Sequence, residues 1–102
     1  METYKPMALA ISIQNNTVTI TLDNRFDFDS VEEFRRAYSD NAATYYIVDF
    51  RHTDYMDSSG LGMLLNMRRH VGGAADIKLS NCRPQVKRVL LISRFETEFS
   101  ID

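Results

Sequence analysis

Between Tyr45 and Ser80 the spacing of apolar residues changes twice, and this constrains the fold more than any other stretch of the chain. Tyr45-Tyr46-Ile47-Val48-Asp49-Phe50 is aromatic and β-branched without a clean polar face, the pattern of a strand covered on at least one side. From Leu61 the spacing is helical, with Leu61, Leu64 and Leu65 on one stripe and Met67 and Val71 beside it. Gly72-Gly73 ends that helix. Asp76 to Ser80 then alternates through Ile77 and Leu79. Strand, helix and strand in this order form a crossover unit, so the two strands are expected to run parallel in one sheet.

The flanking segments extend this core. Met7, Leu9, Ile11 and Ile13 alternate, and so do Val18, Ile20 and Leu22, with threonines between them. Asn15-Asn16 separates the two runs, and Asn accepts the left-handed backbone of a tight hairpin. An N-terminal β-hairpin with one wet face is expected. Asp29 or Ser30 can cap a first helix, and Ser30-Val31-Glu32-Glu33 has capping-box spacing. Val31, Phe34, Ala37 and Tyr38 carry that helix to about Ser39, and Asp40-Asn41 ends it. Pro84 suits the first turn of a third helix, whose inward face is Val86, Val89, Leu90 and Ser93. Residues 95–102 read either as a last edge strand or as a tail. The expected fold is α/β: a mixed β-sheet opened by a hairpin, with helices packed mainly on one face.

Composition excludes several function classes. The chain of 102 residues is read as one domain, 1–102, with little room for a deep active site. Its 12 Lys and Arg against 14 Asp and Glu leave a formal charge of −2, without the basic excess of a nucleic-acid binder. Cys82 stands alone, so no internal disulfide is possible, and it reads as a small buried hydrophobe. His52 and His70 belong to no metal-spaced cluster, and neither a metal nor a cofactor is expected. The first residues lack the basic and apolar regions of a secretory signal, and no apolar run approaches a membrane span. A cytoplasmic protein without direct membrane insertion is expected. Catalysis finds no support. Gly-x-Ser-x-Gly and the P-loop are absent, and His70 falls at the far end of the helix that carries Ser59.

The chemistry is concentrated in Met56-Asp57-Ser58-Ser59-Gly60-Leu61-Gly62, where a loop meets a helix. A first turn offers unpaired N–H groups and partial positive charge, so a phosphate on a first-turn serine would be received there. Gly60 and Gly62 leave room for close approach by a partner or a kinase. Asp57 is either the N-cap or an acid that orients Ser59. Met56 and Leu61 have a spacing more often found in a core, with exposure at an interface as the other reading. Tyr45, Tyr46 and Tyr55 read as packing residues with polar tips. Arg68, Arg69 and His70 suit the negative end of the helix dipole.

These residues resemble the signature of the STAS domain, with the closest similarity to bacterial anti-sigma-factor antagonists. The match rests on Asp57-Ser58-Ser59-Gly60-Leu61-Gly62 after a hydrophobic strand. Leu22-Asp23-Asn24-Arg25-Phe26-Asp27 resembles the family's Leu-x-Gly-x-Leu/Phe-Asp element, with Asn24 in place of the glycine. Gly72-Gly73 before Ile77-Lys78-Leu79, and Pro84-x-Val86-x-Arg88-Val89-Leu90, resemble its glycine turn, fourth strand and third helix. The resemblance implies a protein-binding module switched by phosphorylation. Ser59 is the implied acceptor, with Ser58 as the alternative. The implied partner is an anti-sigma factor and serine kinase with a histidine-kinase-like fold, and a serine phosphatase reverses the mark. Asp27, Met56, Asp57, Ser58, Ser59, Gly60 and Leu61 are the implied partner-binding residues. The alternative is a constitutive STAS subunit of a signalling or lipid-transport complex. In physical terms, phosphate adds roughly −1.5 to −2 charges at a docking surface, enough to oppose binding without refolding.

Overall fold

The hairpin, the crossover and the helices form as their apolar spacing requires, in a computed structural model that describes residues 9–102. Strand β1 (Leu9–Gln14) turns through Asn15-Asn16 into β2 (Thr17–Leu22), and both asparagines have positive φ, 49° and 65°. A two-residue strand β3 (Arg25–Phe26) and a 3-10 turn (Phe28–Ser30) lead into helix α1 (Val31–Ser39). Strand β4 (Tyr45–Asp49) is followed by a second two-residue strand, β5 (Tyr55–Met56), and by helix α2 (Ser58–Val71). Strand β6 (Asp76–Ser80), helix α3 (Pro84–Ile92), a 3-10 turn (Phe95–Thr97) and strand β7 (Ser100–Ile101) complete the chain.

The main sheet has the order β1-β2-β4-β6-β7, antiparallel between β1 and β2 and parallel elsewhere. Tyr46 pairs with Ile77 and Val48 with Leu79, which is the expected parallel crossover pair. The inward residues Val18, Ile20, Leu22, Tyr46, Val48, Ile77 and Leu79 share one core cluster with Phe34 and Ala37 of α1, Leu64 and Met67 of α2, and Val86 and Leu90 of α3. The sheet is therefore mixed and its helices lie on one face. Its other face carries half-buried threonines on β2 and exposed or half-buried Tyr45, Ile47 and Lys78. Burying an apolar side chain stabilises by about 1.5–3 kcal/mol, so this single apolar face holds the helices to the sheet. The Tyr46 hydroxyl accepts from Ala43 N–H (3.0 Å) and donates to Asn41 carbonyl (3.1 Å), the polar tip expected of it.

Several expectations need correction. Ile11 and Ile13 lie across from Ile20 and Val18, on the core side, yet they are 44% and 57% exposed; only Leu9 of β1 is buried. The edge strand extends beyond the helix layer. Met7, assigned to the same strand, lies outside the described residues. No capping box forms at Ser30, which makes no side-chain cap bond. Asp27 caps the preceding 3-10 turn instead, its Oδ1 accepting from Asp29 N–H at 3.1 Å. Met63 is buried on α2, while Leu61 and Leu65 are half-buried, so the inward stripe is Gly60, Met63, Leu64 and Met67. Ser93 is exposed rather than inward. Residues 95–102 are ordered by stacking of Phe95 on Phe99 (5.4 Å between centroids) and by β7, which pairs with β6. Among the described residues no helix is long and apolar enough to cross a membrane.

Candidate functional site

The parallel strands β2 and β4 deliver the chain to one end of the sheet, and α2 begins there. Asp57 has extended backbone (φ −108°, ψ −171°), and its Oδ1 accepts from Ser59 N–H at 2.9 Å. Gly60 N–H donates to Asp57 carbonyl at 2.9 Å. Asp57 is thus the N-cap of α2, the first of the two roles open to it. The cap also alters the expectation for a bound anion. The Ser59 and Gly60 amides are already engaged by Asp57, so this helix start offers an anion fewer free donors than the motif alone suggests.

Ser58 is exposed, while Met56, Asp57, Ser59 and Leu61 are half-buried. Among the described residues no buried side-chain oxygen lacks a partner. Gly60 is buried, and its room serves the chain itself. A Cβ there would stand 2.5 Å from Met56 Cγ and 3.0 Å from both the Phe26 ring and its carbonyl oxygen. The close approach that requires glycine here is to Met56 of β5 and Phe26 of β3. Gly62 has nothing within 4 Å and is the glycine that stays open.

The loop before Asp57 is held from two sides. β3 and β5 pair in parallel, Arg25 with Tyr55 and Phe26 with Met56. Asn24 carbonyl accepts from Asp54 N–H (2.8 Å) and Tyr55 N–H (3.2 Å). Thr53 is fully buried, and its hydroxyl donates to Asp23 carbonyl at 2.8 Å. From the other side, Arg83 at the start of α3 donates to Arg51 carbonyl and pairs with Asp54 at 2.7 Å. Asn24 needs no left-handed backbone, so its substitution for glycine leaves the segment able to form β3. These short strands and latches have no periodic pattern, and sequence reasoning passed over them. The only signal available was the resemblance of Leu22–Asp27 to a family element.

Asp27 is buried beside this junction. Its Oδ2 accepts from Arg25 Nε at 3.1 Å, and the Arg25 guanidinium stacks over the Tyr55 ring, 4.3 Å from its centroid. Tyr55, read as a packing residue, is 43% exposed and serves as a platform for that cation. Phe28, next to Asp27, is 68% exposed and was not singled out from the sequence. The structure therefore brings Met56, Asp57, Ser58, Ser59 and Leu61 together at the surface and sets Asp27 and Gly60 behind them. His70 lies at the other end of α2, its ring 5.2 Å from that of Tyr38. Burial and nearby acids push the Cys82 thiol up to about 11, away from reactivity.

The comparisons with known proteins agree with this fold. The family model described as the STAS domain matches residues 8–102. A STAS-domain-containing protein of Pseudomonas aeruginosa is 47% identical over 93 residues, covering 88% of this chain and 92% of that protein. The structure of the anti-sigma factor antagonist SpoIIAA in its unphosphorylated form superposes with a TM-score of 0.72 at 28% identity, covering 93% of this chain and 87% of that one. The phosphorylated form of SpoIIAA, a Bacillus cell fate determinant, gives a TM-score of 0.65 at 25% identity, covering 93% and 91%. With the family model spanning nearly the whole chain, the protein belongs to the STAS-domain family.

Proposed function

We propose that this protein is a phosphorylation-switched docking module of the anti-sigma-factor-antagonist type. In its unmodified form it binds an anti-sigma factor that is also a serine kinase, with a histidine-kinase-like fold. Phosphate on Ser59 releases that partner, and a serine phosphatase restores binding. The protein is acted upon and is not an enzyme, and it works in the cytoplasm. The docking surface comprises Met56, Asp57, Ser58, Ser59 and Leu61, with Asp27 and Gly60 supporting it from behind.

The observation that carries this reading is the Asp57 cap. It locks the Ser59 amide at 2.9 Å on a half-buried surface, so added phosphate falls beside an existing carboxylate. Like charge at a docking surface opposes association by several kcal/mol. That SpoIIAA has been solved in unphosphorylated and phosphorylated forms supports the same kind of switch.

The test has two parts. Mass spectrometry of the protein after incubation with its cognate kinase is expected to map phosphate to Ser59; label on Ser58 alone overturns the assignment. Calorimetry with the same partner is expected to give unchanged affinity for Ser59→Ala and at least tenfold weaker binding for Ser59→Asp. A stable stoichiometric complex indifferent to both substitutions would instead identify a constitutive subunit.

A further inference from the structure

The two edges of the main sheet are treated differently. Exposed edges invite pairing with other chains, and proteins blunt them with charges, proline, bulges or short strands. β7 is two residues long and is followed by Asp102, paired with Lys78 at 3.1 Å. β1, at the opposite edge among the described residues, has none of these devices. It is six residues long, and its register with β2 is unbroken from Leu9 opposite Leu22 to Gln14 opposite Thr17. From Met7 to Leu22 the sequence contains neither a charge nor a proline.

The backbone also has a definite orientation. A two-residue turn closes the hairpin, so Gln14 and Thr17 form a hydrogen-bonded pair. Pairs alternate along an antiparallel ladder. Ser12 and Ala10 therefore bond to β2, and the N–H and C=O groups of Ile11 and Ile13 point outward. The same two residues carry the exposed apolar side chains of this edge.

We propose that β1 pairs antiparallel with β1 of a second copy of this chain, about a two-fold axis through Ser12. In that register Ile11 of each copy lies opposite Ile13 of the other, joined by their outward backbone groups. The exposed isoleucines meet on the core side of the sheet, and no charge on either strand opposes the contact. Self-complementarity about Ser12 favours a second copy over a foreign strand. The axis stands perpendicular to the sheet, so the helices of both copies share one face and the two Ser59 ends point in opposite directions. The pairing is therefore independent of the docking proposed at Ser59.

A contact between two six-residue strands falls at the small end of protein interfaces, below about 1,200 Å² in total, so the dimer is weak and concentration-dependent. Sedimentation equilibrium up to about 1 mM, the range suited to such a contact, is expected to show a monomer–dimer equilibrium. Ile13→Lys changes an exposed side chain and is expected to leave a folded monomer at every concentration. Ser12→Cys in a Cys82→Ala background places two thiols at a non-hydrogen-bonded pair, with Cα atoms about 4.5 Å apart, within reach of a disulfide. Mild oxidation is expected to cross-link it. A wild-type protein that stays monomeric throughout overturns the proposal. So does a dimer that survives Ile13→Lys or one that Ser12→Cys fails to cross-link.

Discussion

Two glycines about half a turn apart on α2 have opposite physical roles, although the sequence presents them as a pair. A methyl group at Gly60 would collide with Met56 and with the backbone and ring of Phe26, whereas at Gly62 it would meet nothing. Overpacking costs about 1–3 kcal/mol, more than the roughly 1 kcal/mol that alanine gains over glycine in a helix. Gly60→Ala is therefore expected to destabilise the protein, and Gly62→Ala to stabilise it by up to about 1 kcal/mol. Urea unfolding of the two variants checks the signs directly. If Gly62 is open because a partner approaches there, Gly62→Ala gains stability and loses affinity together. Cys82 gives a second residue-level expectation. Its thiol is neutral well above the ordinary cysteine range, up to about 11. Alkylation by iodoacetamide should therefore be slow at pH 8 and rise with an inflection near 11 rather than 9. The sign for stability follows. The unfolded chain loses this proton first, so the thiol's contribution is present below pH 9 and fades as pH rises toward 11. Cys82→Ala should flatten that alkaline loss in a pH series of unfolding curves.

At the scale of elements, the regular pieces were legible because each carries its own period. The alternation in β2, the helical spacing of α1 and the Gly72 stop needed no tertiary information, and Gly72 does adopt a positive φ of 79°. β3 and β5 were not legible, since two residues cannot display a period and their pairing depends on segments about thirty positions apart in sequence. The capping box failed for a related reason. Ser30 had the right spacing, but Asp27 starts the 3-10 turn first, leaving Ser30 buried and without a capping bond. Ile11 and Ile13 share the side of Leu9, as their alternation requires, but their exposure was not legible because coverage by helices is not a property of a strand. The site itself was legible as a motif, but its latches, Asn24, Thr53 and Arg83, were not. These latches allow the role of Asp57 to be separated from that of the loop. Asp57→Ala removes the cap of α2 and is expected to cost about 1 kcal/mol. Asp57→Asn keeps the capping oxygen and removes the charge, and it should retain nearly full stability. If the carboxylate also helps to repel the phosphorylated form, Asp57→Asn should bind the partner residually even when Ser59 is phosphorylated, as titration calorimetry would read.

For the whole molecule, the question is whether a charge at one helix end acts through the fold or only at the surface. The net charge is −2 across all 102 residues, so a phosphate contributing roughly −1.5 to −2 nearly doubles it at a single point. The core lies beneath that point but is not built from it: Ser58 and Ser59 are absent from the buried cluster that joins the sheet to α1, α2 and α3. Two local effects act on added charge at Ser59. The helix N-terminus favours an anion by about 0.3–1 kcal/mol, and the Asp57 carboxylate opposes it. Being of similar size and opposite sign, they should nearly cancel. Ser59→Asp is expected to unfold within about 0.5 kcal/mol of the wild type, the usual range for surface changes, with an unchanged circular dichroism spectrum. The same variant should fail to hold its partner. A switch that worked by loosening α2 would behave differently: Ser59→Asp would lose several kcal/mol or show a broadened transition, and binding would weaken in proportion to the lost helix. Denaturant unfolding and calorimetry on the same sample therefore separate a surface switch from a folding switch. Stable but unable to bind is the outcome expected of a small domain whose serine end stands clear of its core.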